Sequence, residues 1–441
     1  MTNASLVGAA AVCRLLLGPA QLGSQSLTIG SPWTTLDRVI PVAAHGLPAG
    51  QAATIRALSR DRSRRQWQAS AVFHADAEGN VELSRMSPDS GSYSMVNPMG
   101  LFQAMDVAGD ERGRVRFDAA WSDTIVTEIL LELNGKIVAT DTVWRTFASP
   151  QVRAAAVHED GLVGMRFTPR SSAPRAHVLV LGGSEGGLSS ADVAAQLASA
   201  GFDALALAYF GADSLPAQLV RIPLEYFGKA LRLLSRDSVI GRAPIAVLGS
   251  SKGAEAALLV AVRYPQVSAV VAYAPSAVAW SCICDSTAHS SWTWHGEEVP
   301  AVPPGTDPTY QRPAGSSLRP AVNYGFRLAS NQDLRTIIPI EETRARILLV
   351  AGGDDGLWPS ATMAEALRKR RSTEKSAPPI EILLYQSAGH LIGKSYLPAG
   401  STLLNRGRID TGGNPTDNAW AQANSWPKVI RFLSDLRKRH G

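Results

Sequence analysis

Val247-Leu248-Gly249-Ser250-Ser251-Lys252-Gly253-Ala254-Glu255 sets a G-x-S-x-G motif between an apolar run and a helical one. Pro244–Leu248 reads as a strand and Lys252–Tyr264 as a helix, so Ser251 falls on the turn between them. Glycines at 249 and 253 permit a tight strand-to-helix turn, where a side chain would collide with neighbouring backbone. Such a turn pushes the serine outward and aims helix N-terminal N–H groups at a developing oxyanion. The competing reading is a plain glycine-bounded turn carrying a solvated serine.

Working outward, strands and helices alternate on both sides of the motif. His177–Leu181, Asp203–Tyr209, Val267–Ala274, Ile347–Gly352 and Ile380–Tyr385 are near-continuous apolar runs. Helical patterns fall near Ala191–Ala200, Leu219–Leu234, Ser360–Arg371 and Pro427–Lys438. Apolar strands between helices predict a parallel sheet covered on both faces. Residues 275–335 break the rhythm. They are rich in Pro, Gly, Ser and Trp and read as an insertion over the open end of the sheet.

Upstream the period changes to two. Apolar and polar residues alternate in Arg38–Ala43, Ala53–Leu58, Ser70–Phe73, Arg114–Phe117, Ile125–Leu133 and Lys136–Val143, with Asn134-Gly135 as a hairpin signal. The organisation expected is an extension over 1–30 with little order, an all-β sandwich over 31–167, and an α/β-hydrolase domain over 168–441. The fold class is α/β, with an all-β domain in front.

A serine nucleophile needs a base, and the base needs a carboxylate, in the chain order Ser, Asp or Glu, His. Downstream of Ser251 lie His289, His295, His390 and His440. Only His390 follows a predicted strand, in Tyr385-Gln386-Ser387-Ala388-Gly389-His390, where parallel-sheet enzymes place their sites. The carboxylate comes from Ala351-Gly352-Gly353-Asp354-Asp355-Gly356-Leu357-Trp358-Pro359. Two aspartates compete there. The spacing from Gly352 and to Pro359 selects Asp355, and Asp354 is left to cap the turn. The loop Gly182-Gly183-Ser184-Glu185-Gly186-Gly187 follows the first strand of the second region. Its position suits an oxyanion loop, with donors at the backbone N–H of Gly183 or Ser184 and of Lys252. A phosphate-cradling loop is the rival, opposed by Glu185 and by the missing G-K-[ST] ending.

Composition narrows the function classes. The chain has 441 residues, 45 % hydrophobic and 18 % charged, enough for a sizeable core. Net charge is 43 − 38 = +5. The cations are scattered apart from Arg368–Arg371 and Arg437–Arg439, which is no nucleic-acid footprint but suits an anionic small molecule. Three cysteines, Cys13, Cys282 and Cys284, exclude a disulfide framework. The last two read as ordinary loop residues, and no metal site is assigned. No run reaches the length of a membrane span. A cytoplasmic location is expected, with export as the alternative because Leu6–Leu17 is weakly apolar.

These residues bring a family into view. The chain resembles the acyl-CoA thioesterase / bile acid-CoA:amino acid N-acyltransferase family over roughly residues 35 to 438. The likeness shows in His45-Gly46-Leu47 and Asn97-Pro98-Met99-Gly100-Leu101. It continues in Ala204–Phe210, Ser214-Leu215-Pro216, Pro223–Phe227, Gly249–Glu255, Ile338–Glu341, Gly353-Asp354-Asp355 and Gly389-His390. It implies a β-sandwich followed by a dienelactone-hydrolase-like domain, with a triad at Ser251, Asp355 and His390. It implies an acyl-CoA substrate and no separate cofactor, CoA being part of the substrate. Members with serine at the nucleophile are mainly hydrolases, so Ser251 points to water as the acceptor. Transfer to an amine, another ester or lactone hydrolase, and a non-catalytic binding protein are the alternatives. Trp280, Trp292 and Trp294 are candidate acyl-channel walls, and Arg368–Arg371 and Lys252 candidate partners for CoA phosphates. Oligomeric state is not legible.

Overall fold

The computed structural model describes residues 24–109, 113–170, 174–236, 243–285, 289–393, 396–399, 401–405 and 407–436. Residues 1–23 of the expected extension, Arg437–Arg439 and His440 lie outside the described residues.

The N-terminal region is built on β1 (Ala52–Arg60), β2 (Gln66–His74), β3 (Thr124–Leu133) and β4 (Lys136–Thr146). They pair antiparallel in the order β4-β3-β1-β2, with Asn134-Gly135 turning β3 into β4. Both turn residues have positive φ, which explains the Asn-Gly pair. Alternate residues such as Ala53, Ile55 and Ala57 are buried against Trp67 and Phe73. A second, three-stranded sheet (Ser26–Ile29, Val42–His45, Val81–Glu82) shares that core and completes the sandwich. The strand expected at Arg114–Phe117 does not form. Those residues run irregularly.

An eight-stranded sheet follows. Its strands are β5 (Val152–Val157), β6 (Val163–Pro169), β7 (His177–Leu181), β8 (Asp203–Ala208), β9 (Ile245–Ser250), β10 (Val267–Tyr273), β11 (Arg346–Gly352) and β12 (Glu381–Tyr385). The order is β5-β6-β8-β7-β9-β10-β11-β12. From β8 to β12 all pairs are parallel, and β5 and β6 add an antiparallel edge. Residues 152–169 therefore close this sheet and not the sandwich, a correction to the break expected at 168. Period-two patterning cannot tell which sheet an edge strand joins.

Helices α1 (Ala191–Ser199) and α6 (Pro415–Ser434) cover one face, and α2 (Leu224–Ser235), α3 (Lys252–Arg263) and α5 (Ser360–Arg371) the other. The last helix starts twelve residues earlier than Pro427 suggested, since 427 − 415 = 12. Asn414 Oδ1 accepts the Asp417 N–H and Pro415 opens the first turn, so this pair is the cap and Pro427 is interior. The insertion is ordered more than its composition suggested. It carries α4 (Ala321–Ser330) and a Trp292–Trp294/Glu297–Glu298 hairpin. Cys282 and Cys284, expected as ordinary loop residues, are joined by a disulfide. Among the described residues no helix is long and apolar enough to cross a membrane.

Candidate active site

The sheet reverses its winding at β7: β8 lies on one side and β9 on the other. Ligands bind α/β sheets at such a switch point, beyond the strand carboxyl ends. The loop after β7 and the turn after β9 meet there. Ser251 stands on that turn with φ +56° and ψ −120°, a strained conformation for a residue with a Cβ. Its own N–H is tied to the Tyr273 carbonyl at 2.9 Å. Both flanking glycines are required. A Cβ at Gly249 would stand 2.0 Å from the Gly253 carbonyl oxygen, and one at Gly253 would stand 2.2 Å from that of Gly182.

Gly183 presses its backbone on the same turn. A Cβ there would lie 3.3 Å from the Ser251 Cβ and 2.8 Å from a Glu185 carboxylate oxygen. Tyr209 anchors this loop from below, donating to the Gly182 carbonyl at 2.6 Å. Among the described residues, no acceptor pairs with the backbone N–H of Gly183, Ser184 or Lys252. Lys252 opens α3, so its N–H has no helical carbonyl to reach.

His390 and Asp355 come from the loops after β12 and β11. His390 Nδ1 lies 2.9 Å from each Asp355 carboxylate oxygen, and both residues are buried. Asp355 Oδ1 also accepts the Leu357 and Trp358 N–H groups at 2.9 and 3.2 Å. The other ring nitrogen, Nε2, is buried with no partner among the described residues. Trp358 stands edge-on to the imidazole at 5.9 Å. The neighbouring Asp354 turns away. It accepts Arg319 Nη2 at 2.6 Å and the Gly413 N–H at 2.8 Å, tying the insertion to the loop that precedes α6. Its half-exposed carboxylate is not directed at His390.

Residues 37–159 match the family described as acyl-CoA thioester hydrolase/BAAT N-terminal region, and residues 222–438 match BAAT/acyl-CoA thioester hydrolase C terminal. Acyl-coenzyme A thioesterase 1 of Mus musculus is 30 % identical over 405 residues, covering 90 % of this chain and 93 % of that protein. The chain belongs to the acyl-CoA thioester hydrolase/BAAT family. The family spans two kinds of activity. Acyl-coenzyme A amino acid N-acyltransferase 2 of Rattus norvegicus is also 30 % identical, over 421 residues, 92 % of this chain and 96 % of that protein. Peroxisomal succinyl-coenzyme A thioesterase of Mus musculus is 28 % identical over 409 residues, 90 % and 93 % of the two chains.

Within this family member, several residues singled out from sequence are engaged elsewhere. Lys252 is buried, its Nζ 2.7 Å from Glu255 Oε2 and 5.3 Å from the Trp292 ring centre. Burial lowers its pKa, against the raising effect of Glu255. Arg371 is buried and donates to the carbonyls of Ile340 and Ala345, Arg370 pairs with Glu341, and Arg368 pairs with Glu365. Trp280 and Trp292 are buried in the core, where Glu255 Oε1 accepts the Trp280 N–H and the Trp292 indole N–H. They anchor the insertion to α3. Trp294 packs edge-on to Tyr264.

Sequence reasoning missed Arg116. A cavity of about 90 Å3 beside His390 is lined by Gly182, Gly183, Glu185 and, from the N-terminal region, Arg116. Burial lowers its pKa, against the raising effect of Glu185 and Asp192. No hydrogen bond or ion pair to it forms among the described residues. Its signal was misread, because Arg114–Phe117 alternates like a strand. Gln422 of α6 also lines the cavity and holds the Leu391 carbonyl at 3.0 Å.

Proposed function

We propose that this chain is an acyl-CoA thioesterase that works through an acyl-enzyme on Ser251. The observation that carries the reading is the state of His390. One nitrogen is fixed by Asp355, and the other is buried and, among the described residues, without a hydrogen-bond partner, Ser251 Oγ included. An imidazole held this way presents Nε2 as a lone-pair acceptor.

His390 Nε2 takes the Ser251 hydroxyl proton as Oγ attacks the thioester carbonyl. The carbonyl electron pair moves onto oxygen, where the N–H groups of Lys252 and of Gly183 or Ser184 receive it. Collapse of the tetrahedral intermediate breaks the C–S bond, and CoA leaves as the thiol with the proton from His390. Water, deprotonated by His390, then cleaves the acyl-serine to release the carboxylic acid. Asp355 keeps the imidazole tautomer and stabilises the imidazolium without taking the proton. One oxyanion donor supplies roughly 3 kcal/mol and the base about 10²–10⁴-fold.

A second reading, an amine acceptor, has one observation behind it. Arg116 and Glu185 place opposite charges on the same small cavity, the complement of an amino acid zwitterion. One assay tests both: CoA release from short to long acyl-CoAs by wild type and Ser251→Ala, with glycine and taurine in parallel and products weighed by mass spectrometry. Serine-dependent release of free acid supports hydrolysis, and an acyl-amine supports transfer. Cleavage of simple esters without any CoA release sinks both.

A further inference from the structure

A cavity of about 660 Å3 lies between the N-terminal region and α6, against about 90 Å3 beside His390. None of Ser251, Asp355 or His390 lines it. Its volume falls within the ~300–1,000 Å3 of small-molecule pockets. The two sides differ in character. On the sheet side, Arg56 of β1 stands opposite Ser70 of β2, and Ser92 Oγ accepts the Ser70 N–H at 3.0 Å. The apolar lining comes from Met95, Val96 and Met105 in loops of the N-terminal region and from Trp420 and Ala423 on α6. Met95, Val96 and Trp420 are each about half exposed, at 49 %, 49 % and 57 %. Large apolar side chains left open on one concave surface mark a binding site, and methionines adapt to a flexible chain.

The polar side has capacity to spare. Arg56 spends Nε and Nη2 on Glu132, at 3.0 and 3.2 Å, which leaves Nη1 without a partner among the described residues. The Tyr93 hydroxyl beside the cavity is buried and likewise without a partner among them. Among the described residues, Arg56 is the one cation of the lining and Asp106 the one acid. A single cation shared with Glu132 does not suit the several phosphates of CoA. One carboxylate with an apolar tail fits both sides.

We propose that this cavity is a second ligand site, separate from the catalytic cavity, for a long-chain carboxylate. The carboxylate sits at Arg56 with the Ser70 and Ser92 hydroxyls, and the chain lies along Met95, Met105 and Trp420. The choice of a fatty acid rests on the thioesterase reading, whose product it is; the site itself does not.

The test is binding without turnover, by fluorescence of cis-parinaric acid on the full-length Ser251→Ala protein. One site is expected, not displaced by excess butyryl-CoA. Arg56→Gln should weaken it about tenfold or more, and so should Ala423→Trp, which fills the cavity. The methyl ester of the probe should bind at least tenfold more weakly than the acid to the Ser251→Ala protein and equally to the acid on Ser251→Ala/Arg56→Gln. Displacement by butyryl-CoA overturns the proposal, as does binding unchanged in both variants. Arg56 is about one third exposed and supports no core contact, so its variant is expected to fold even where the tryptophan variant does not. CoA release by wild type is scored separately, which keeps failure here distinct from failure of the hydrolase reading.

Discussion

Lys252 and Glu255 form an ion pair of 2.7 Å with neither side chain reaching solvent, one turn of helix after the proposed nucleophile. The pair is a joint. Through its second oxygen Glu255 holds the backbone of Trp280 and the indole of Trp292, so α3 and the insertion are fastened at one carboxylate. Removing one charge of a buried pair strands the other at a cost of about 3–5 kcal/mol. Lys252→Met should therefore lower stability by that order, and Lys252→Met/Glu255→Gln should recover part of it, because Gln still accepts from the tryptophans. Urea unfolding of the three proteins decides; a double variant no more stable than the single one contradicts the account.

The two adjacent aspartates make a sharp pair of variants. Asp355→Asn leaves His390 in place but favours the wrong tautomer, and kcat for thioester hydrolysis should fall about 10⁴-fold. Asp354→Asn breaks a half-exposed contact with Arg319, worth ~0–1 kcal/mol, and should change kcat less than tenfold. Equal losses in the two variants would remove Asp355 from its proposed role.

Gly253→Ala tests the contact between the turn and the oxyanion loop. The added Cβ meets the carbonyl oxygens of Gly182 at 2.2 Å and Leu181 at 2.5 Å, both backbone, so the loop has to move. A displaced donor costs about 10²–10³ in kcat. Single-turnover acylation with a fluorophosphonate should slow in parallel. Unchanged acylation would show that the loop carries no oxyanion donor.

Acid stability should depend on Asp203. Burial pushes its carboxyl up, but hydrogen bonds from His177 at 2.6 Å and from both forks of Arg166 pull it below the usual carboxylate value. A carboxyl held low in the fold binds its proton later than in the unfolded chain, at ~3.9. The stabilisation is thus complete above about pH 4 and lost as pH falls through the folded value. Asp203→Asn should lower Tm at pH 7 and flatten the loss of Tm on acidification below pH 4. A parallel acid limb in the two proteins would assign the pH sensitivity elsewhere.

Much of this fold is legible in the sequence. The apolar runs of β7 to β12 announced a buried sheet because strands covered on both faces have no polar side to alternate with. Chain order and strand-end position singled out Ser251, Asp355 and His390 because the fold brings strand carboxyl ends to one edge. Errors came where a local pattern has two tertiary outcomes. The alternation of Arg114–Phe117 looks like a strand, yet its arginine stands at the cavity beside His390. Pro427 looked like a helix start and proved interior, because Asn414 and Pro415 had already capped the helix.

The sequence by itself determined which chemistry the chain can hold. Glycines at 249 and 253, a serine between them, and an aspartate and a histidine after later strands are local requirements, written in residue type and spacing. Only the tertiary structure decided which charges are spent and which are open. Lys252 and Arg371 are consumed by buried partners, and Arg116 is brought from the other region to the cavity beside His390 without one among the described residues. Charge pairing depends on distances between segments far apart in the chain, and spacing along the chain carries no record of them.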